Sequence, residues 1–129
     1  LYPPVPMMVR ENRCPETLRG RPVKPGAQIV LSPWHIHRHE RLWVNPDAFD
    51  PDRWSREETK DSARDAYLPF SAGPRVCTGA GFAMVEGPLL LAHFLREHRV
   101  SRIEGDDPVP VAHLTVRAKA GIRLRISKR

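Results

Sequence analysis

The apolar positions follow different periods in different parts of the chain. From Val5 to Ser32 they form short extended pieces broken by turn residues, with "AQIVLS" the clearest strand and "RGRPVKPG" the clearest corner. "WHIHRHERLW" predicts a short helix. The following "VNPDAFDPDRW" has too many Asn-Pro and Asp-Pro steps for a regular element, so it reads as a meander held by its own side chains. One long helix is legible: Phe82, Val85, Leu89, Ala92 and Leu95 recur at three-to-four spacing, which predicts a core-facing stripe on a helix running to about Arg99. Pro88 interrupts that pattern; a proline inside a helix removes one backbone bond and costs ~3 kcal/mol, which predicts a kink or irregular turn near Glu86 and Gly87. Beyond the helix, "VAHLTVR" and "GIRLRIS" alternate as strands do and are expected to pair across "AKAG".

Length adds that these elements can share a core: 129 residues is one ordinary domain. Forty per cent apolar and 28% charged residues is globular composition. Fourteen prolines are about twice the usual ~5%, so the chain must turn often in rigid bends. No run approaches the ~20 apolar residues of a membrane span, and no signal segment opens the chain. It starts at "LYPPVP" without methionine, which reads as a cut end with any upstream anchor out of view. The net charge of +6 would suit a polyanion, but the basic residues are dispersed among acids and only "RLRISKR" is dense. A solvated basic surface is expected, with no nucleic-acid partner.

The chemistry concentrates in "FSAGPRVCTGAGFAMVEG", Phe70 to Gly87. Cys77 lies between a glycine-rich bend and a helix start, where unpaired N–H groups and the positive end of the helix dipole favour a thiolate. Gly73 and Gly79 let the backbone approach something large, and Arg75 adds positive charge. These residues alone leave open a nucleophile, a redox thiol or a metal ligand, beside the plainer alternative of a small buried hydrophobe. A nucleophile needs a base, and His93 is well down the helix; a redox pair needs a second thiol, and Cys14 is remote. Cys14 itself reads as an ordinary thiol. "HIHRH" places His35, His37 and His39 at alternate positions with Glu40 beside them, an incomplete zinc set.

The order Phe70, two residues, Gly73, one residue, Arg75, one residue, Cys77, one residue, Gly79 resembles the cysteine loop of the cytochrome P-450 family. "FDPDRW", Phe49 to Trp54, is similar to the family's meander motif at the expected distance before the cysteine, and "LYPPVP" resembles the segment after its Glu-x-x-Arg helix. The resemblance spans essentially the whole chain. It implies a mainly α fold with small β-sheets (α+β), residues 1–129 being the C-terminal portion of a single haem domain: small sheet region, short helix, meander, cysteine loop, long helix and C-terminal β-hairpin.

The same resemblance assigns roles. Cys77 is expected to be the axial thiolate on the iron of haem b, with Gly73 and Gly79 admitting the porphyrin and Phe70 packing beside the sulfur. Arg75, and Arg10 by its distance from the chain start, are expected to pair with the haem propionates. Arg53 matches the structural arginine of the meander. Val5 and Met7, with Leu114 and Thr115, fall where the family lines its substrate pocket, and their apolar character suits a lipophilic substrate. The implied activity is a monooxygenase that inserts one oxygen atom from O2. Electrons are expected ultimately from NAD(P)H through a ferredoxin, flavodoxin-like or reductase partner at the proximal face, near Arg75. The chain alone is expected to be inactive. Competing readings are a haem-thiolate peroxygenase or isomerase, and a non-catalytic remnant or basic binding module. The histidine-rich segment and the opening stretch suggest a bacterial, cytoplasmic protein.

Overall fold

A computed structural model describes residues 1–129. Two compact units divide it: Leu1–Pro69 with Leu114–Val116, and Phe70–His113 with Arg117–Arg129.

The first unit begins with two ribbons. β1 (Met8–Glu11) pairs antiparallel with β4 (Gln28–Leu31), with Arg10 opposite Ile29. Between them β2 (Glu16–Leu18) and β3 (Arg21–Val23) form a hairpin whose two turn residues, Arg19 and Gly20, both have positive φ (50° and 75°). That is the mirror-image turn whose twist matches the flanking strands, so the "RG" corner sets the hairpin. Buried Asn12 ties the ribbons together: its Nδ2 donates to the carbonyls of Val23 and Lys24, both at 3.2 Å, and its backbone exchanges bonds with Ala27 and Gly26.

The short helix is shorter than "WHIHRHERLW" suggests. α1 (Pro33–Ile36) is one turn, with Pro33 at its first position and the Ser32 side chain accepting from the His35 N–H. The segment then turns, and its buried members converge: Trp43 is 5% exposed and donates Nε1 to the Ile36 carbonyl at 3.0 Å. Trp43, Trp54, Tyr67 and His37 pack ring against ring, with Trp54 and Tyr67 4.6 Å apart. The meander is held by its side chains as expected. Arg53, on the 3-10 helix Pro51–Ser55, donates to four carbonyls, those of Val44 (3.1 Å), Asn45 (2.9 Å), Ala48 (2.8 Å) and Asp50 (3.3 Å). α2 (Lys60–Asp65) follows and is anchored by the Ser62 hydroxyl donating to the Leu42 carbonyl.

The second unit is built on α3 (Ala80–Glu97), which runs unbroken through Pro88. The irregular turn expected there is absent: proline deletes only its own bond, and the bonds on either side keep the helix closed. The expected core stripe is overturned as well. No residue of α3 is buried, and Phe82, Val85 and Leu89 are 70%, 60% and 64% exposed. The sequence period reports an apolar face, and nothing within these residues covers it.

Strand pairing also differs from expectation. β8 (Leu124–Lys128) pairs with β5 (His98–Arg102), which follows α3 directly, in the register Val100 opposite Ile126. β7 (Val116–Ala118) pairs with β6 (Pro110–Ala112) instead, forming the C-terminal hairpin. Gly121, at φ 82°, turns the chain away after β7, so "AKAG" separates two ribbons rather than closing one. Small sheets beside short and long helices give the α+β architecture anticipated from the resemblance.

Candidate functional site

The cysteine loop belongs to the second unit. Phe70 opens it, Ser71 follows in the left-handed region at φ 65°, and Gly73 takes φ 68° at the start of the short 3-10 helix Gly73–Arg75. The Val76 N–H donates to the Gly73 carbonyl at 3.0 Å, and the Cys77 N–H donates back to the Phe70 carbonyl at 2.8 Å. A closed bend from Phe70 to Cys77 results, with Cys77 at its exit and both cysteines of the chain free and exposed.

Two glycines shape this bend differently. Gly73 is required for its positive φ, while a β-carbon there meets nothing within 4 Å. At Gly79 φ is ordinary, and an added β-carbon would sit 3.7 Å from the Cys77 Sγ, so this glycine clears space at the sulfur itself. Gly79 is also the N-cap of α3 and offers no side-chain oxygen to the first turn. The Ala80 N–H of that turn donates to the Cys77 carbonyl at 3.3 Å, and the positive end of the helix dipole points toward the loop.

Of the residues singled out in the sequence, Phe70, Gly73, Arg75, Cys77 and Gly79 come together in this loop. Arg75 is exposed and makes no ion pair, and Phe70 is half-buried. Arg10 lies in the first unit on β1, its Nη1 donating to the Val9 carbonyl at 3.0 Å. Val5 and Met7, 45% and 53% exposed, occupy the strand entry of the same unit. The return segment comes to them: Leu114 and Thr115 belong to that unit, and the neighbouring Val116 N–H donates to the Pro4 carbonyl at 2.8 Å.

The three histidines face separate partners. His35 Nδ1 is 2.8 Å from the Ser32 hydroxyl, His39 Nδ1 accepts from the Arg41 N–H at 3.2 Å, and His37 Nε2 accepts from the Leu68 N–H at 2.8 Å. They form no ligand set for a metal. Sequence reasoning considered His37 only as one of that trio and missed its place in the aromatic cluster. A contact with Leu68, far along the chain, leaves no periodic signal.

One further feature escaped the sequence. A cavity of about 170 Å³ in the first unit is lined by Trp43, Phe49, Asp50, Arg53, Trp54 and Tyr67, with Leu1 and His37 at its wall. Asp50 and Arg53 bring charge to it, and the His37 ring is pushed below its ordinary pKa, first by burial and next by neighbouring positive charge.

Comparison with known proteins places the chain. The cytochrome P450 family profile matches residues 1–125. Cytochrome P450 4X1 of Rattus norvegicus is 38% identical over 129 residues, covering 99% of this chain and 25% of the relative. Cyclooctatin synthase of Streptomyces melanosporofaciens is 38% identical over 117 residues, covering 89% of this chain and 26% of the relative. Among solved structures, the cytochrome P450DA heme domain is 30% identical with a TM-score of 0.86, over 99% of this chain and 28% of that one. Retinoic acid bound cyanobacterial CYP120A1 shares the fold at 23% identity, with a TM-score of 0.91 over 99% of this chain and 30% of that one. The chain thus spans about a quarter of the length of the curated relatives it matches.

These relatives overturn the bacterial, cytoplasmic placement. Cytochromes P450 of rat, mouse and Drosophila melanogaster match at the same level as the Streptomyces protein. The histidine-rich segment on which that placement leaned is a packing feature of the first unit, and packing carries no address. No helix is long and apolar enough to cross a membrane. Profile, relatives and solved heme domains agree over nearly every residue, and the chain belongs to the cytochrome P450 family.

Proposed function

We propose that these 129 residues are the C-terminal portion of a single haem domain and that Cys77 is its thiolate ligand in a monooxygenase. The observation that carries this reading is the cysteine loop: a free, exposed sulfur held at the exit of a hydrogen-bonded bend, with Gly79 clearing the space beside it. The donor set suits haem, because a soft sulfur that belongs to no cluster of further metal-ligating side chains would give one protein bond to an iron rather than a closed metal cage. The apolar, exposed face of Phe82, Val85 and Leu89 in the same unit offers the kind of surface a large apolar group or further protein covers.

When bound, haem b supplies the oxygen chemistry that no side chain here possesses. The chain's own residues bind and orient. Cys77 binds through sulfur, and the first-turn N–H groups of α3 help bear its negative charge. Gly73 and Gly79 let the bend lie against a flat ligand, and Phe70, half-buried at the entry to the loop, would pack beside the sulfur. Arg75 and Arg10 are cations suited to two carboxylates. Val5, Met7, Leu114 and Thr115 present a mostly apolar wall to a lipophilic substrate, and Arg53 keeps the meander in register. Electrons enter from a protein donor, with Arg75 among the cations that would steer an acidic one, and NAD(P)H is their source.

The test is the absorption spectrum of the reduced, carbon-monoxide-bound full-length protein beside its Cys77→Ala variant. A strongly red-shifted Soret band that vanishes in the variant is expected. The same spectrum from both, or no haem uptake by the parent, overturns the ligand assignment and favours a basic binding module.

A further inference from the structure

We propose that His37 is a positioning residue for the cysteine loop: its neutral ring holds the Leu68 N–H and so fixes the chain where it enters the loop at Phe70. The inference rests on the reading of Cys77 as haem ligand.

His37 is held before it holds anything. It is 9% exposed, and its own N–H donates to the carbonyl of fully buried Pro33 at 2.9 Å. Trp43 meets its ring edge-on at 6.5 Å, and Tyr67 lies tilted at 5.4 Å. Packed in this way the imidazole has one orientation, which aims Nε2 at the Leu68 N–H, 2.8 Å away. To accept that bond the ring must be neutral with its proton on Nδ1.

From that bond the constraint passes along the chain. Leu68 is followed by Pro69, whose ring fixes φ, and then by Phe70, whose carbonyl receives the Cys77 N–H at 2.8 Å. Two residues of chain separate the Leu68 N–H from the Phe70 carbonyl, and the φ of Pro69 between them is fixed. Inside the loop, Ser71 and Gly73 sit in the left-handed region at φ 65° and 68°. For serine that conformation is unfavourable, so it persists only if the loop's ends are held. The Phe70 carbonyl holds one end through Cys77, and His37 holds the approach to it.

The groups around His37 explain why it stays neutral. Burial opposes a positive charge on the ring most strongly, and Arg38 beside it adds to that opposition. Arg53, Asp50 and Tyr67 line the same cavity as His37. Protonation removes the acceptor for Leu68, so acidification releases the approach to the loop.

The test uses the full-length haem-loaded protein and three variants: His37→Phe fills the site without an acceptor, His37→Gln restores an acceptor near Nε2, and Cys77→Ala reports on the ligand. Amide exchange at Leu68 and Cys77 is expected to quicken about tenfold in the Phe variant, the change equivalent to one lost hydrogen bond, and to stay slow in the Gln variant. The red-shifted Soret band of the carbon-monoxide complex is expected to fade on mild acidification in the parent and to persist in His37→Gln. Should His37→Phe fail to fold, that pH comparison decides alone. Equal exchange at Cys77 in the parent and Phe variant, or identical acid profiles in the parent and Gln variant, overturns the proposal. A red-shifted band surviving in Cys77→Ala overturns the ligand reading instead, whatever His37 does.

Discussion

The two units solve opposite problems. The first closes a small core while leaving residues such as Val9, Val30 and Phe49 exposed: Pro33, Trp43 and Ala66 are enclosed, and Asn12, His37 and Thr59 are buried with them. The second buries nothing along its longest helix, although that helix has the more regular apolar pattern. Periodicity describes which face a helix offers, whereas burial depends on what meets it. In the meander, irregular backbone is compensated by four bonds from one arginine and by clustered aromatic rings. In α3, regular backbone leaves its apolar side chains in water.

The comparison is broken most sharply at Cys77 and Trp43. Cys77→Ala removes an exposed sulfur, so its stability cost should stay within about 0.5 kcal/mol while the red-shifted carbon-monoxide spectrum is lost entirely. Trp43→Ala should do the reverse at the level of the fold. Emptying a 5%-exposed tryptophan site is expected to cost about 3–5 kcal/mol in denaturant unfolding, against less than about 0.5 kcal/mol for Leu89→Ala in the same chain. If Leu89→Ala costs as much as Trp43→Ala, the contrast between the units is wrong.

Arg53 comes next. Arg53→Ala leaves four carbonyls of the meander without their donor, and half-burial of the guanidinium puts the expected cost at about 2 kcal/mol. Arg53→Lys should recover less than half of it, because one ammonium cannot reach four acceptors spread over Val44 to Asp50. Near-wild-type unfolding of Arg53→Lys would mean that one or two of the bonds carry the whole effect.

Smaller still are the glycine exchanges, and they separate loop from helix within the second unit. Gly73→Ala forces a β-carbon into φ 68° with open space around it, so the cost is purely conformational, about 1 kcal/mol. Gly81→Ala lies inside α3 with nothing within 4 Å, and should stabilise by about 0.5–1 kcal/mol. Thermal unfolding that shifts in the same direction for both would refute the assigned backbone conformations.

What could be read from the sequence follows the range of the interactions. The Cys77 loop, the Arg53 meander and the strand at Gln28–Leu31 are written in residues close together, and each appears where the pattern put it. The pairing of β8 with β5 was misread because alternation identifies a strand without naming its partner. The burial of α3 was misread because its covering surface is not in these residues. His37 was invisible for a third reason: a histidine in an aromatic cluster has the same letters around it as a histidine in a loop. The loop's local code identified the candidate ligand, but the contact that steadies its approach depends on folding.

Titration gives the finest test within the first unit. His37 has its folded pKa lowered from 6.5, first by burial, so the unfolded chain binds a proton more readily than the folded one. Stability is therefore fully present above 6.5 and declines as pH falls from there through the lower folded value. Unfolding midpoints measured between about pH 9 and about pH 5 should thus hold steady above 6.5 and fall below it. His37→Gln should erase that fall while preserving the acceptor for Leu68. A fall that survives His37→Gln would assign it to another histidine and leave the buried ring without a role in acid sensitivity.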